Sequence, residues 1–231
     1  MYGFRLGLAC CIVLLAASSA RAMLVKNIST GIDDGTLTKI GNDVLDPDFV
    51  VAAGSIALVG EVPIARSSPL PPPYQGDAAS LDSRWIMVDT GIGEQGINAP
   101  AGTYYFDTTV DMSGYDPATA EIMGFRFAAD NKMQRVFIND AIAYTRPVSF
   151  GSDFSLRNVG DIGLGLFRGG ANTIRFEVLN DGTVPTALAL RLEGTVQASL
   201  VPEPSTCALL WLGMLGLGLF AWRRRDYHGV Q

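Results

Sequence analysis

Apolar and polar positions alternate with a period of two through most of the middle of the chain. In Thr173-Ile174-Arg175-Phe176-Glu177-Val178 the residues Ile174, Phe176 and Val178 share one face and Arg175 and Glu177 the other, the pattern of a half-buried strand. After the turn residues Asn180-Asp181-Gly182 the same alternation places Leu188, Leu190 and Leu192 opposite Arg191 and Glu193, which predicts an antiparallel pair with the preceding strand. Tyr104, Phe106, Thr108, Val110 and Met112 form another such face, and Val136-Phe137-Ile138 runs into a tight turn at Asn139-Asp140. No convincing amphipathic helix is visible between Met23 and Leu200. Short strands separated by Gly, Pro, Asn and Asp predict an all-β fold, an antiparallel jelly-roll-like β-sandwich.

The two ends break this pattern. Arg5 is followed by the uncharged run Leu6–Ala17 and then by Ser18, Ser19 and Ala20. A positive start, a short apolar run and small residues before a peptidase site make residues 1–22 a secretory signal peptide, forming a helix while it crosses. Ala20-Arg21-Ala22 fits the small-residue pocket of signal peptidase, so the mature chain starts at Met23. At the other end, Val201-Pro202-Glu203-Pro204-Ser205-Thr206 precedes an uncharged run to Trp222, and Arg223, Arg224 and Arg225 follow. The 18 residues from Ser205 to Trp222 make a helix about 27 Å long, close to the roughly 30 Å hydrocarbon core. A transmembrane helix over residues 207–222 is therefore expected. The three arginines keep residues 223–231 in the cytoplasm and leave the ectodomain outside.

Between the ends, 231 residues reduce to one sandwich over 23–198 and a Pro-Glu-Pro linker over 199–206. The proline-rich stretch Pro69–Pro73 reads as a stiff loop, because residues 23–66 hold too few strands for a core of their own. Residues 23–206 carry 22 acidic against 12 basic side chains. That balance argues against nucleic acid and anionic lipid as ligands of this part, since both require basic patches. Cys10, Cys11 and Cys207 all lie in the end segments, so no disulfide braces the ectodomain.

At the C-terminus the chain resembles the PEP-CTERM sorting signal. Val201-Pro202-Glu203-Pro204-Ser205-Thr206, one glycine-rich apolar helix and a terminal arginine cluster occur in that order. The resemblance implies a Gram-negative bacterium and a membrane protease-transpeptidase, exosortase, as processing partner. It further implies a sorting motif at Pro202, Glu203 and Pro204, cut to release the protein from the helix. The protein is then anchored in the inner membrane with its ectodomain in the periplasm, and reaches the cell surface or extracellular matrix after processing. The two prolines suit a protease site, because they hold the backbone extended and remove N–H donors.

The ectodomain is similar to the galactose-binding-like jelly rolls that often precede such tails. The resemblance rests on Ser29-Thr30-Gly31-Ile32-Asp33, Asp46-Pro47, Ser83-Arg84-Trp85-Ile86, Gly102-Thr103-Tyr104-Tyr105, Ala128-Ala129-Asp130-Asn131, and Asn172-Thr173-Ile174 through Arg191-Leu192-Glu193-Gly194-Thr195. It implies a polysaccharide of the envelope or extracellular matrix as ligand. A structural envelope protein with protein partners and no sugar site is the alternative.

Chemistry-bearing residues are sparse. The single histidine, His228, falls in the cytoplasmic tail, which removes histidine-based triads and zinc sites from the ectodomain. No catalytic residue is assigned, and the expectation is a protein that is not an enzyme. No cofactor is called for, although Asp33 with Asp34, and Asp43 with Asp46 and Asp48, are hard oxygen donors that would suit calcium. Trp85, Asp130 and Asn131 are the candidate ligand-binding residues. Trp85 could stack on a sugar ring, or lie in the core, and Asp130-Asn131 sits at a strand end.

Overall fold

The computed structural model describes residues 22–66, 74, 82–88, 99–148, 153–181, 188–201 and 212–218. Its first compact unit ends at Ser199 and is built from strands. In chain order these are β1 (Ala22–Asn27), β2 (Ile32–Asp33), β3 (Thr38–Lys39), β4 (Val44–Leu45), β5 (Val50–Val51), β6 (Ile64–Arg66) and β7 (Trp85–Met87). They continue with β8 (Gly102–Asp111), β9 (Tyr115–Asp130), β10 (Lys132–Ile138), β11 (Ala141–Thr145), β12 (Asp153–Ile162), β13 (Ala171–Asn180) and β14 (Ala189–Leu200). Among the described residues, seven strands form one sheet in the order β12-β9-β14-β7-β6-β4, with β1 also on β14. Five form the other, in the order β11-β10-β13-β8-β5.

The two sheets face each other across one apolar core. On the smaller sheet the inward pairs Tyr104–Val178, Phe106–Phe176 and Thr108–Ile174 sit directly opposite one another on β8 and β13, and all six side chains are buried. Phe125 of β9 meets Phe176 from the other sheet with ring centroids 6.1 Å apart, and Phe49 closes on Phe176 at 6.3 Å. Such ring pairs add to the area each aromatic removes from water. Trp85 is fully buried in the same core.

The β10–β11 connection is the two-residue turn expected at Asn139-Asp140. Both residues have positive φ, 50° and 67°, and Ile138 pairs with Ala141 across it. That is the primed turn whose twist matches a hairpin, and Asn and Asp tolerate it better than other side chains. The expected pairing of β13 with β14 does not form. β13 lies between β8 and β10, whereas β14 lies in the opposite sheet beside β9, β7 and β1. Alternation records which side chains face the core, and two consecutive strands facing it from opposite sheets carry the same pattern as a hairpin. Asn180 is spent otherwise: its side chain is buried and donates to the Ala99 carbonyl at 3.0 Å.

The first 45 described residues complete the sheets. β1 runs antiparallel to β14 from Ala22 opposite Ser199 to Asn27 opposite Thr195. The contact continues as Ile28 and Thr30 donate to the Gly194 and Leu192 carbonyls at 3.0 and 3.1 Å. At Gly31 the chain leaves this edge and turns into the small β2–β3 hairpin. Gly31 has φ +67°, and a Cβ there would lie 2.6 Å from the Arg84 Cβ. Further on, β7 takes over the same edge of β14, with Leu190 opposite Ile86. Tyr74, which follows the proline-rich stretch, docks edge-on against Trp85 at 5.1 Å and Phe154 at 5.7 Å and donates to the Asp130 carboxylate.

In the second unit, residues 212–218 are helical. Among the described residues no helix is long and apolar enough to cross a membrane; most of the expected span over 207–222, the sorting motif, the arginine cluster, Ala20 and Pro69–Pro73 lie outside the described residues.

Gly31 and Gly114 separate two costs of a side chain. Gly114 also has positive φ, at +84°, but an added Cβ there meets nothing. Gly114→Ala should cost about 1 kcal/mol for backbone strain alone. Gly31→Ala, with strain and a backbone-anchored clash, should cost about 3 kcal/mol. Urea denaturation of the two variants checks this, and equal losses would show that the Arg84 contact yields freely.

Candidate functional site

Arg191 and Glu193 alternate with the core residues of β14, yet both are buried. The expected solvent-facing side of this strand is covered. Ser83 and Arg84 cross it, and the β2–β3 hairpin is tied down by Thr30, whose hydroxyl donates to the Arg84 carbonyl at 2.5 Å and accepts from the Leu192 N–H at 3.0 Å. Arg191 donates through Nε to the Ser83 hydroxyl at 2.8 Å and through Nη2 to the Ser83 carbonyl at 2.6 Å. The Ser83 hydroxyl in turn donates to Glu193 Oε1 at 2.8 Å, and Arg126 of β9 pairs with Glu193 Oε2. A buried carboxylate is tolerable only when both oxygens are met, and here the Ser83 hydroxyl meets one and the Arg126 guanidinium the other.

Beside this network lies an open cleft of about 460 Å³. Its floor is the outer surface of β9 and β14, with Met123, Gly124, Arg126, Glu193, Gly194 and Thr195. Asn27 and Ser29 line one side, and Ile32, Leu37 and Lys39 of the small hairpin form a wall, with Asp82 at the rim. Gly124 leaves the floor low, because a Cβ on it would project into empty space. The lining therefore combines hydroxyl, amide and charged groups with a short apolar wall. Sequence reading missed this place. The one trace of it is the Arg-x-Glu-Gly run of β14, whose charged pair reads as an ordinary wet face until the covering strands are known.

The expected ligand residues lie together around Tyr74, which packs on Trp85 and donates to Asp130, and none of them lines the cleft. Trp85 presents no ring face to solvent, so it serves the core and not a sugar. Asp130 is buried and held by the Tyr74 hydroxyl, and burial pushes its carboxyl above the usual range. Asn131 accepts from the Asp181 N–H at 2.9 Å through its side chain. Both residues brace the end of β9, away from the cleft lining. At the N-terminal end Met23 opposes Ala198 in the β1–β14 ladder.

The aspartates proposed for calcium divide between separate duties. Asp33 caps its own turn by accepting from the Thr36 N–H at 2.7 Å, and Asp43 pairs with Arg66. Asp34 and Asp48 converge on the Lys26 ammonium at 3.4 and 3.0 Å, so a lysine already provides the positive charge. Among the described residues no group of three acidic, histidine or cysteine side chains is arranged to hold a metal. Asp46 is a strut. Its two oxygens accept from the Gly31 N–H at 2.7 Å and the Asp48 N–H at 3.2 Å.

Comparison with known proteins bears on the tail. Residues 200–225 match the PEP-CTERM protein-sorting motif. The match begins on the last residue of β14, so the sandwich passes directly into the sorting signal. The motif implies an exported protein that is membrane-anchored before processing, with exosortase as the processing partner. No curated protein and no solved structure matches the chain.

Burial pushes the Asp46 carboxyl up to about 6, against the opposing pull of the Gly31 and Asp48 N–H groups. A raised carboxyl pKa means that the folded state holds the proton more tightly than the unfolded chain. Its stability contribution is complete below about pH 4 and is lost as pH rises through about 6. Asp46→Asn cannot ionise, so between pH 4 and pH 7 it should lose less stability than the native sequence, by roughly 2 kcal/mol. Denaturation curves at the two pH values check the difference, and parallel losses would mean that Asp46 is not the group responsible.

Proposed function

We propose that this is an exported, non-enzymatic protein of the cell surface or extracellular matrix. Exosortase releases it from its membrane segment at Pro202-Glu203-Pro204, and its jelly-roll ectodomain binds polysaccharide in the cleft beneath the β2–β3 hairpin. The observation that carries the sorting half is the match over residues 200–225, which starts where β14 ends.

The strand orders support the jelly-roll reading. Taken in parallel, β12-β9-β14-β7 and β11-β10-β13-β8 pair each strand of one sheet with its immediate chain neighbour at the same place in the other. That correspondence arises when one long antiparallel hairpin is rolled so that its strands alternate between two layers. The cleft supports the polysaccharide reading. Its volume of about 460 Å³ lies in the range of small-molecule sites, and its mixture of hydrogen-bonding groups with Ile32, Leu37 and Met123 suits a ring with hydroxyl edges and apolar faces. Glycoside hydrolysis would need a pair of carboxylates free to act. Of the two carboxylates lining the cleft, Glu193 is engaged by Ser83 and Arg126.

Glu203→Ala, or deletion of Arg223–Arg225, should leave the chain at full length in the membrane fraction of native cells. Mass spectrometry of the mature C-terminus reads the result, and normal trimming of either variant removes the exosortase assignment.

For the ectodomain, polysaccharides from the producing cells should retain the mature chain. Lys39→Ala combined with Asp82→Ala should weaken retention several-fold while leaving the thermal melting unchanged, since both residues lie on the cleft lining. Retention by no polymer would favour the structural reading with protein partners.

A further inference from the structure

The charges that line the cleft differ in how far they reach toward solvent. Arg126 and Glu193 form an ion pair on its floor, but the carboxylate side chain is 4% exposed and the guanidinium 40%. The acid lies beneath and the base on top. A guanidinium carries five N–H donors and no acceptor. The pair with Glu193 engages Nη2, so Arg126 keeps donors on its open side.

Lys39 adds a second positive group from the wall. It stands opposite Ile32 in the β2–β3 ladder, is half-buried, and has no acidic partner among the described residues. The remaining acid of the lining, Asp82, is exposed at the rim. Two further carboxylates touch the same elements without lining the cleft: Asp33 accepts from the Thr36 N–H and hydroxyl, and Asp161 from the Gly124 N–H at 2.7 Å. The interior of the cleft is therefore positive, within a stretch of chain, residues 23–206, that carries 22 acidic and 12 basic side chains.

A neutral sugar would be served by the amide of Asn27 and the hydroxyl of Thr195, and does not call for two cations. An ammonium and a guanidinium facing one space suit a carboxylate, which accepts charge-assisted hydrogen bonds on both oxygens. We propose that the cleft takes a uronic acid unit of an acidic polysaccharide, its carboxylate held by Lys39 and Arg126. The proposal rests on the polysaccharide reading above and narrows it to one class of sugar. A single carboxylate needs these two groups and no wider basic patch. The acidic surface outside the cleft then works for specificity, because it repels the polymer everywhere else on the domain.

Extracellular polysaccharide of the producing cells, divided by anion exchange into neutral and acidic fractions and immobilised on a biosensor, tests this with the mature chain. Part of the acidic fraction is carboxyl-reduced, which turns each carboxylate into a hydroxymethyl group and leaves the sugar rings in place. The expected result is binding to the acidic fraction several-fold tighter than to its reduced form or to the neutral fraction. Lys39→Gln should weaken binding to the acidic fraction several-fold, with thermal melting unchanged, and leave the residual binding to the reduced form as it was, because both changes remove the same contact. Equal binding to the acidic fraction and its reduced form, tighter binding to the neutral fraction, or a Lys39→Gln chain that binds the acidic fraction as the native one does overturns the uronate assignment and leaves polysaccharide binding standing. Binding to no fraction overturns both.

Discussion

β14 is the strand on which the ectodomain closes. One edge is held by β9, and the other is shared end to end by β1 and β7, so the first and last segments of the sandwich meet on a single strand. Its inner face sends Leu190, Leu192, Val196 and Ala198 into the core, all fully buried. Its outer face carries Arg191 and Glu193, buried beneath the segment that leads into β7. A strand paired on both edges, and covered on both faces along its first half, cannot be withdrawn without opening the core between the sheets. Every other feature follows from its position. The hairpin that walls the cleft springs from Gly31, where the chain leaves β14, and the sorting signal begins where β14 ends.

The charged pair on the covered face has a local logic. Burying arginine and glutamate on a strand costs desolvation that apolar residues would not, and the attraction between them alone need not repay it. Here Ser83 stands between them, accepting from Arg191 and donating to Glu193, while Arg126 meets the remaining carboxylate oxygen. The chain gains a fixed position for the 82–84 segment relative to β9 and β14. Because Arg126 and Glu193 also line the cleft, the network that seats this segment makes the cleft floor rigid. A preorganised floor loses little freedom when a ligand arrives.

Much of the fold was legible from alternation because most strands bury one face and wet the other. β8 is the clearest case, with Tyr104, Phe106, Thr108 and Val110, and Met112 just past its end, all buried as expected. The Asn139-Asp140 turn was legible because its chemistry is local. Partnership was not. β13 and β14 carry the hairpin pattern and lie in opposite sheets, since facing the core is a property of one strand and pairing is a property of two. The cleft was illegible for a related reason. Arg191 and Glu193 are polar residues on the polar side of a strand, and only the long-range crossing by Ser83 and Arg84 turns that side inward. Trp85 shows the converse, an aromatic that the core claims outright. The sorting tail was readable because its order of proline pair, apolar run and arginine cluster is linear and needs no partner.

The register between β1 and β14 also ties folding to export. Met23 and Ala198 stand opposite each other although nearly the whole ectodomain separates them in the chain. Contacts so distant in sequence form only after the intervening loop has closed, which makes them late steps of folding. A chain exported from its N-terminus therefore cannot complete this ladder until Ala198 has emerged. The sorting motif follows directly, from residue 200. Closure of the sandwich and arrival of the sorting motif thus fall at the same stage of export. Placing the closing strand next to the sorting signal makes completion of the fold and presentation of the signal consequences of one event.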